Sequence, residues 1–225
     1  MKVFVKTYGC AFNQRDSENI KGILKIDSFD IVDTEAEADL IIINSCGVKG
    51  VTQDKILDYI KKQSKPIYVG GCLTKMIDLT DLKGVQGVFD PNTITQLSVQ
   101  IKENKQKNFS SKKEHRLNIP IVITEDDKLI LPISQGCLGA CHFCSVKYVR
   151  GHLKSYKIVD IVKEVENSKA KTIYLTSQDC GCYGFDIDTN LAVLLKELCN
   201  IDREFIIRVG MMSPEHLFKF LPDLI

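Results

Sequence analysis

The sequence lacks any apolar run near the roughly 18 residues that span a bilayer. Its densest apolar pieces are residues 40–43 and 119–123. A membrane-spanning helix is therefore excluded, and no membrane partner is expected. Also missing is an apolar stretch with a cleavage site near the first residue. Residues 2–8 instead alternate in the manner of a strand. No secretory signal is read, and a cytoplasmic location is the expectation. Charge of one predominant sign is absent too: 30 Lys and Arg face 29 Asp and Glu, a net charge of +1. Overall electrostatics thus give no argument for a nucleic-acid partner. At 225 residues, 44% hydrophobic and 26% charged, the chain has room for one large or two modest globular domains.

Two local segments are basic. Lys102, Lys105, Lys107, Lys112, Lys113 and Arg116 face only Glu103 and Glu114, and read chiefly as a solvated face. Lys147, Arg150, Lys154 and Lys157 are interleaved with Tyr148, His152 and Tyr156. This second group adjoins the strongest motif of the chain, so phosphate contact and a plain solvated face weigh equally. Cysteine is the informative residue. There are nine, an odd number, with no secretory signal, which favours metal ligation or catalysis over a disulfide framework.

The first hundred residues alternate strand and helix patterns. Residues 2–7, 40–44, 66–69 and 85–89 read as strands, and 16–25, 51–62 and about 91–102 as helices, the last with Pro91 at a first helical position. This order implies an open, doubly wound parallel sheet flanked by helices. The lysine- and serine-containing stretch 105–117 reads as a linker between a first domain, 1–104, and a second, 118–225. Two apolar runs, 118–124 and 129–134, suggest a hairpin joined by residues 125–128. A second β-α series follows, with helices at 157–167 and 189–199, strands at 172–176 and 204–209, and a helix starting at Pro214. Three βα units do not close a barrel, so the α/β second domain reads as incomplete.

Cys137, Cys141 and Cys144 form a C-x3-C-x2-C set in the loop after the strand ending at Ser134. Three thiolates this close can wrap one cubane iron–sulfur cluster and leave one iron open for a ligand such as the amino and carboxylate groups of S-adenosylmethionine (SAM). Gly136 and Gly139 let the backbone turn tightly, and Phe143 is placed to shield the cluster. The alternative is a zinc site with His142 as fourth ligand, but no second ligand pair follows.

Cys10, Cys46 and Cys72 belong to no local motif, yet each lies two or three residues past the end of an expected strand. In a parallel sheet those ends share the edge where open α/β sheets bind ligands. Three thiols converging there can hold a second cluster, again with an open iron; the alternative is three small core residues. Asn13 and Gln14 are placed to line that site, with helix capping as the other reading of Asn13. Cys180, Cys182 and Cys199 fit neither trio: Cys199 reads as packing, and Cys180 and Cys182, flanking Gly181 after a strand, read chiefly as loop cysteines, with a redox or ligand role as the alternative.

The C-x3-C-x2-C loop resembles the signature of radical SAM enzymes. Together with YGC at residues 8–10, NSC at 44–46 and GGC at 70–72, it resembles the MiaB-like methylthiotransferases. KTYGC at 6–10, RGHLKSY at 150–156, LTSQD…YGFDIDTNL across 175–191 and RVGMMSP at 208–214 look most like the archaeal and eukaryotic branch. That branch acts on N6-threonylcarbamoyladenosine beside the tRNA anticodon. Family members are roughly twice as long, completing a partial barrel and adding a tRNA-binding β-barrel called TRAM. Set against them, the chain reads as a fragment, or as half of a split enzyme whose second polypeptide completes the barrel and the TRAM domain.

The resemblance implies two 4Fe–4S clusters, SAM, tRNA and an electron donor. The cluster on Cys137, Cys141 and Cys144 is implied to cleave SAM to a 5′-deoxyadenosyl radical that takes hydrogen from C2 of the modified adenine at tRNA position 37. The cluster on Cys10, Cys46 and Cys72 is implied to deliver a methylated sulfide to that carbon. No further catalytic residue is assigned. Candidate SAM contacts are Ser177, Gln178 and Asp179 after a strand, and Arg208 at the end of the next, where β/α barrels carry ligand contacts. Arg208 suits a carboxylate, or bonds only to nearby backbone. Methylthiotransfer to isopentenyladenosine in tRNA or to a ribosomal protein, and a cluster-binding half needing a partner chain, are the rival functions.

Overall fold

The computed structural model describes residues 1–47, 50–123 and 127–224. The chain divides into two units, Met1–Val122 and Ile123–Ile225. The first runs β1 (Lys2–Thr7), α1 (Ala11–Ile26), β2 (Asp30–Ile31), β3 (Leu40–Ser45), α2 (Gly50–Lys62), β4 (Ile67–Gly71), β5 (Val85–Phe89), α3 (Leu97–Lys102) and β6 (Lys107–Asn108). Its strands form one sheet in the order β2-β1-β3-β4-β5-β6, and every neighbouring pair is parallel. Side chains along β3 alternate between two cores. Leu40 and Ile42 pack with Val3, Val5, Ile20 and Leu24, whereas Ile41 and Ile43 pack with Ile56, Ile60, Ile67 and Val69. A strand covered on both faces has no polar face to show, which is why residues 40–43 form an unbroken apolar run. The expected doubly wound α/β sheet is present.

Some boundaries differ from expectation for physical reasons. Helix α1 begins at Ala11 rather than residue 16. Its first turns carry Asn13, Arg15, Asp16, Ser17, Glu18 and Asn19, all buried, so an apolar period appears only from Ile20 onward. The burial is compensated: Asp16 pairs with Arg116 at 2.6 Å, both almost fully enclosed, and Arg15 Nε donates to Asn19 at 3.1 Å. Arg116 lies in the stretch read as a linker. That stretch also supplies β6 and buried Leu117. Helix α3 starts at Leu97 and not near Pro91, because the Asp90 carboxylate accepts the Asn92 N–H at 2.8 Å and sets a turn first.

The second unit runs β7 (Lys128–Pro132), β8 (Ser134–Gln135), α4 (Val146–Arg150), β9 (Lys154–Ser155), α5 (Ile158–Glu166), β10 (Thr172–Thr176), α6 (Leu191–Cys199), β11 (Ile206–Val209) and α7 (Pro214–Leu217). A parallel sheet has the order β11-β10-β7, and β8 pairs antiparallel with β9. The expected hairpin does not form as read. Residues 118–123 make no strand; Val122 donates to the Glu18 carbonyl at 3.0 Å, and Pro120 has no N–H for a ladder. Residues 124–126 of its turn lie outside the described residues. β7 instead pairs in parallel with β10. Among the described residues, no helix is long and apolar enough to cross a membrane.

Candidate metal centres

In the first sheet the strand order reverses between β1 and β3, the point at which open α/β sheets bind ligands beyond their carboxyl ends. Register then brings the cysteines to that edge. Thr7 pairs with Asn44, Asn44 with Gly70, and Ser45 with Gly71, so Cys46 and Cys72 are the next residues on adjacent strands. Gly9 completes the approach, since a Cβ there would lie 3.1 Å from the Cys46 Cβ. Gly71 is required for a different reason: its φ is +92° and a side chain would come within 2.3 Å of the Ser45 carbonyl. Cys10 is the N-cap residue of α1, where the first helical N–H groups lack intrahelical acceptors.

A polar network fixes these strand ends. Thr7 donates to Ser17 at 2.8 Å; Asn44 donates to Ser17 at 2.9 Å and to the Asn13 carbonyl at 2.8 Å. Asn13 donates to the Ser45 carbonyl at 3.0 Å and accepts the Cys10 thiol at 3.4 Å. Asn13 therefore braces the cysteine-bearing ends, and no side chain caps α1 through a hydrogen bond. Cys46 and Cys72 are buried and Cys10 is exposed, so the edge opens on the Cys10 side.

In the second unit the C-x3-C-x2-C loop folds back on itself. Cys144 N–H donates to the Cys141 carbonyl at 3.1 Å, Cys137 N–H to the Gly151 carbonyl at 3.2 Å, and Lys147 to the Gly139 carbonyl at 2.7 Å. A Cβ at Gly139 would sit 3.3 Å from the Cys137 sulfur and 3.9 Å from that of Cys141. Glycine thus leaves open the space between two thiols, a cradle suited to a metal group. Cys141 is exposed, Cys137 and Cys144 are half-buried, and Phe143 is 91% exposed rather than folded over the loop.

The tightest convergence of ligating atoms among the described residues is neither expected trio. Cys137, Asp179 and Cys182 bring their ligating atoms within 4.8 Å of one another. A cubane binds each thiolate through a different iron and so spreads its ligands wider than a single ion does. Burial pushes the Cys137 thiol upward in pKa and takes Cys180 and Cys182 up to about 12. Cys180 and Cys182 are fully enclosed, unlike the ordinary loop cysteines that sequence spacing favoured. Their position just past a strand end was the signal, and it was weak.

The expected SAM contacts are engaged within the unit. Ser177 Oγ lies 2.7 Å from Ser134 Oγ, and Gln178 Oε1 accepts the Gly136 N–H at 2.6 Å, tying the cysteine loop to the end of β10. Asp179 is buried; its Oδ1 accepts from Gly181 N at 2.8 Å and Ser213 N at 3.0 Å, and its Oδ2 lies 2.7 Å from His216 Nδ1. Arg208 stacks on Tyr174, 4.6 Å from the ring centroid. The basic segments are likewise partly committed. Arg150 is buried and Lys147 braces Gly139, while Lys107 pairs with Asp78 at 2.9 Å and Arg116 with Asp16.

Parallel α/β units that present cysteines at the carboxyl ends of their strands define the class of protein. Residues 2–89 match the family described as "Uncharacterized protein family UPF0004". The whole chain is similar, at 38% identity over 243 residues, to the probable threonylcarbamoyladenosine tRNA methylthiotransferase of Pyrococcus horikoshii, covering 56% of that protein. Against the probable enzyme of the same name from Methanocaldococcus jannaschii, identity is 39% and coverage 100% of this chain and 55% of the relative. The human threonylcarbamoyladenosine tRNA methylthiotransferase is 32% identical over 99% of this chain and 42% of its own length. The similarity thus runs along the whole of this chain, in line with the motif resemblance, and the chain spans about half the length of the curated relatives it matches.

Proposed function

We propose that this chain supplies the two cluster-binding units of a radical SAM methylthiotransferase that converts N6-threonylcarbamoyladenosine, beside the tRNA anticodon, to its 2-methylthio derivative. The observation that carries the reading is the placement of cysteines beyond parallel strand ends in both units. Register supports Cys10, Cys46 and Cys72 as one ligand set, and the Gly139 cradle supports Cys137, Cys141 and Cys144 as the other. Each set gives three thiolates to a cubane of four irons, which leaves one iron free for a further ligand.

When bound, the clusters and SAM supply the electron, the carbon radical and the methylated sulfur that the conversion requires. The protein's own part is positional. Gln178 and Ser177 hold the start of the cysteine loop against β10, Lys147 holds its middle, and the Asn13–Asn44–Ser17 network keeps the first cysteine edge rigid. Asp179, with its carboxylate bonded on both oxygens, ties the turn after β10 to Ser213 and His216. Arg208, stacked on Tyr174 and exposed, is the better placed of the four candidates to meet a SAM carboxylate. tRNA, a reductant and, in the split-enzyme reading, a second polypeptide are the partners of this function.

Anaerobic reconstitution with iron and sulfide tests it. About eight irons per chain are expected, four in each unit. Addition of SAM and dithionite, with any partner chain included, is expected to release 5′-deoxyadenosine. Protein that takes up only about four irons would leave one of the two sites unsupported.

A further inference from the structure

We propose that Cys137, Cys182 and Asp179 form a mononuclear site for a thiophilic divalent cation, best matched by zinc. The three ligating atoms already lie within 4.8 Å of one another, with Cys182 and Asp179 buried and Cys137 half-buried. Zinc holds sulfur at about 2.3 Å and oxygen at about 2.0–2.2 Å. Its tetrahedral ligands consequently sit roughly 3.4–3.8 Å apart, which small side-chain movements reach from this arrangement. Two thiolates and one carboxylate leave the fourth position to water.

The surroundings are those of a prepared ligand set. Asp179 is oriented by the N–H groups of Gly181 and Ser213 on one oxygen and by His216 on the other, a supporting layer of the kind that fixes metal-binding carboxylates. Cys182 sits in the short 3-10 turn of residues 180–182 that Asp179 itself caps, so the two ligands hold a fixed relation. Its thiol proton points to the Asp179 carbonyl at 3.2 Å, and metal binding releases this proton and that of Cys137 to the buffer.

The ion site stands on these three side chains alone. A consequence rests on the cluster reading given above: Cys137 belongs to both ligand sets, so the chain holds the cation or the cluster there, and never both. Zinc is then a competitor for cluster assembly through a cysteine that the C-x3-C-x2-C motif does not contain.

The test needs no cluster. Reduced, metal-free full-length chain is titrated anaerobically with zinc, and the tightest equivalent is followed in Cys137→Ser, Cys182→Ser, Cys141→Ser and Cys144→Ser. Loss in the first two and retention in the last two is expected. Retention in Cys182→Ser, or loss in Cys141→Ser, overturns the site. Should Cys182→Ser fail to fold, X-ray absorption of the wild-type chain carrying a single zinc decides. Two sulfur ligands and two light ones uphold the proposal, whereas three or four sulfurs refute it. Because no iron is present, failure here leaves the cluster assignment untouched, and failure of iron uptake leaves the zinc result standing.

Discussion

Among the four buried thiols two are wholly enclosed, and they differ in reactivity from the three exposed ones. Cys180 and Cys182 have pKa values near 12 through burial, whereas Cys10, Cys141 and Cys199 face solvent. The thiolate is the reacting form, and at about pH 8 a thiol with a pKa of about 12 is roughly one part in ten thousand ionised. In reduced, chelator-treated protein, maleimide should therefore modify Cys10, Cys141 and Cys199 and leave Cys180 and Cys182 intact by peptide mass mapping. Raising the pH adds thiolate below the pKa, so labelling of the enclosed pair should rise about tenfold per unit up to pH 10. Labelling of Cys182 as fast as Cys199 would contradict the burial. Gly71 is the other position where one residue decides the site. Placing Ala at its φ of +92°, against the Ser45 carbonyl, should cost about 1–3 kcal/mol in denaturant unfolding and displace Cys72.

The helix that begins at Cys10 shows what an apolar pattern cannot reveal. Apart from Phe12 its buried first turns are polar, held by Asp16–Arg116, Arg15–Asn19 and the Asn13 network, so residues 11–16 show no repeating apolar face. Strand β3 is the opposite case: four apolar residues buried on both sides declared a central strand, and with it the edge where Cys46 emerges. The same logic placed Cys10 and Cys72, because strand ends are legible whenever the strand is. Residues 118–123 misled because an apolar run containing Pro120 matched a strand, although its backbone lies against α1. Breaking the pair beneath that segment gives a measurable check. Asp16→Ala leaves a buried guanidinium without its carboxylate, and should destabilise the first unit by about 3–5 kcal/mol in urea unfolding.

At the scale of the whole chain, each unit carries its own cysteine set, so metal content should be divisible between them. Cys141→Ala is expected to retain about half of the reconstituted iron and to lose SAM cleavage, and Cys46→Ala to retain about half and still release 5′-deoxyadenosine. Iron analysis beside nucleoside chromatography separates these outcomes, and an identical loss in both variants would dissolve the division of labour. Both α/β units were readable from alternating strand and helix patterns; Cys182 beside Cys137 was not, since residues 45 positions apart meet only through β10 and the turn after it. One consequence lies in β3, enclosed between two hydrophobic layers and paired on both sides. In deuterated water its amides should be the last of the first unit to exchange. Cys46 then hangs from the slowest-opening backbone of that unit, and its position should hold in metal-free protein while the Cys10 turn exchanges freely.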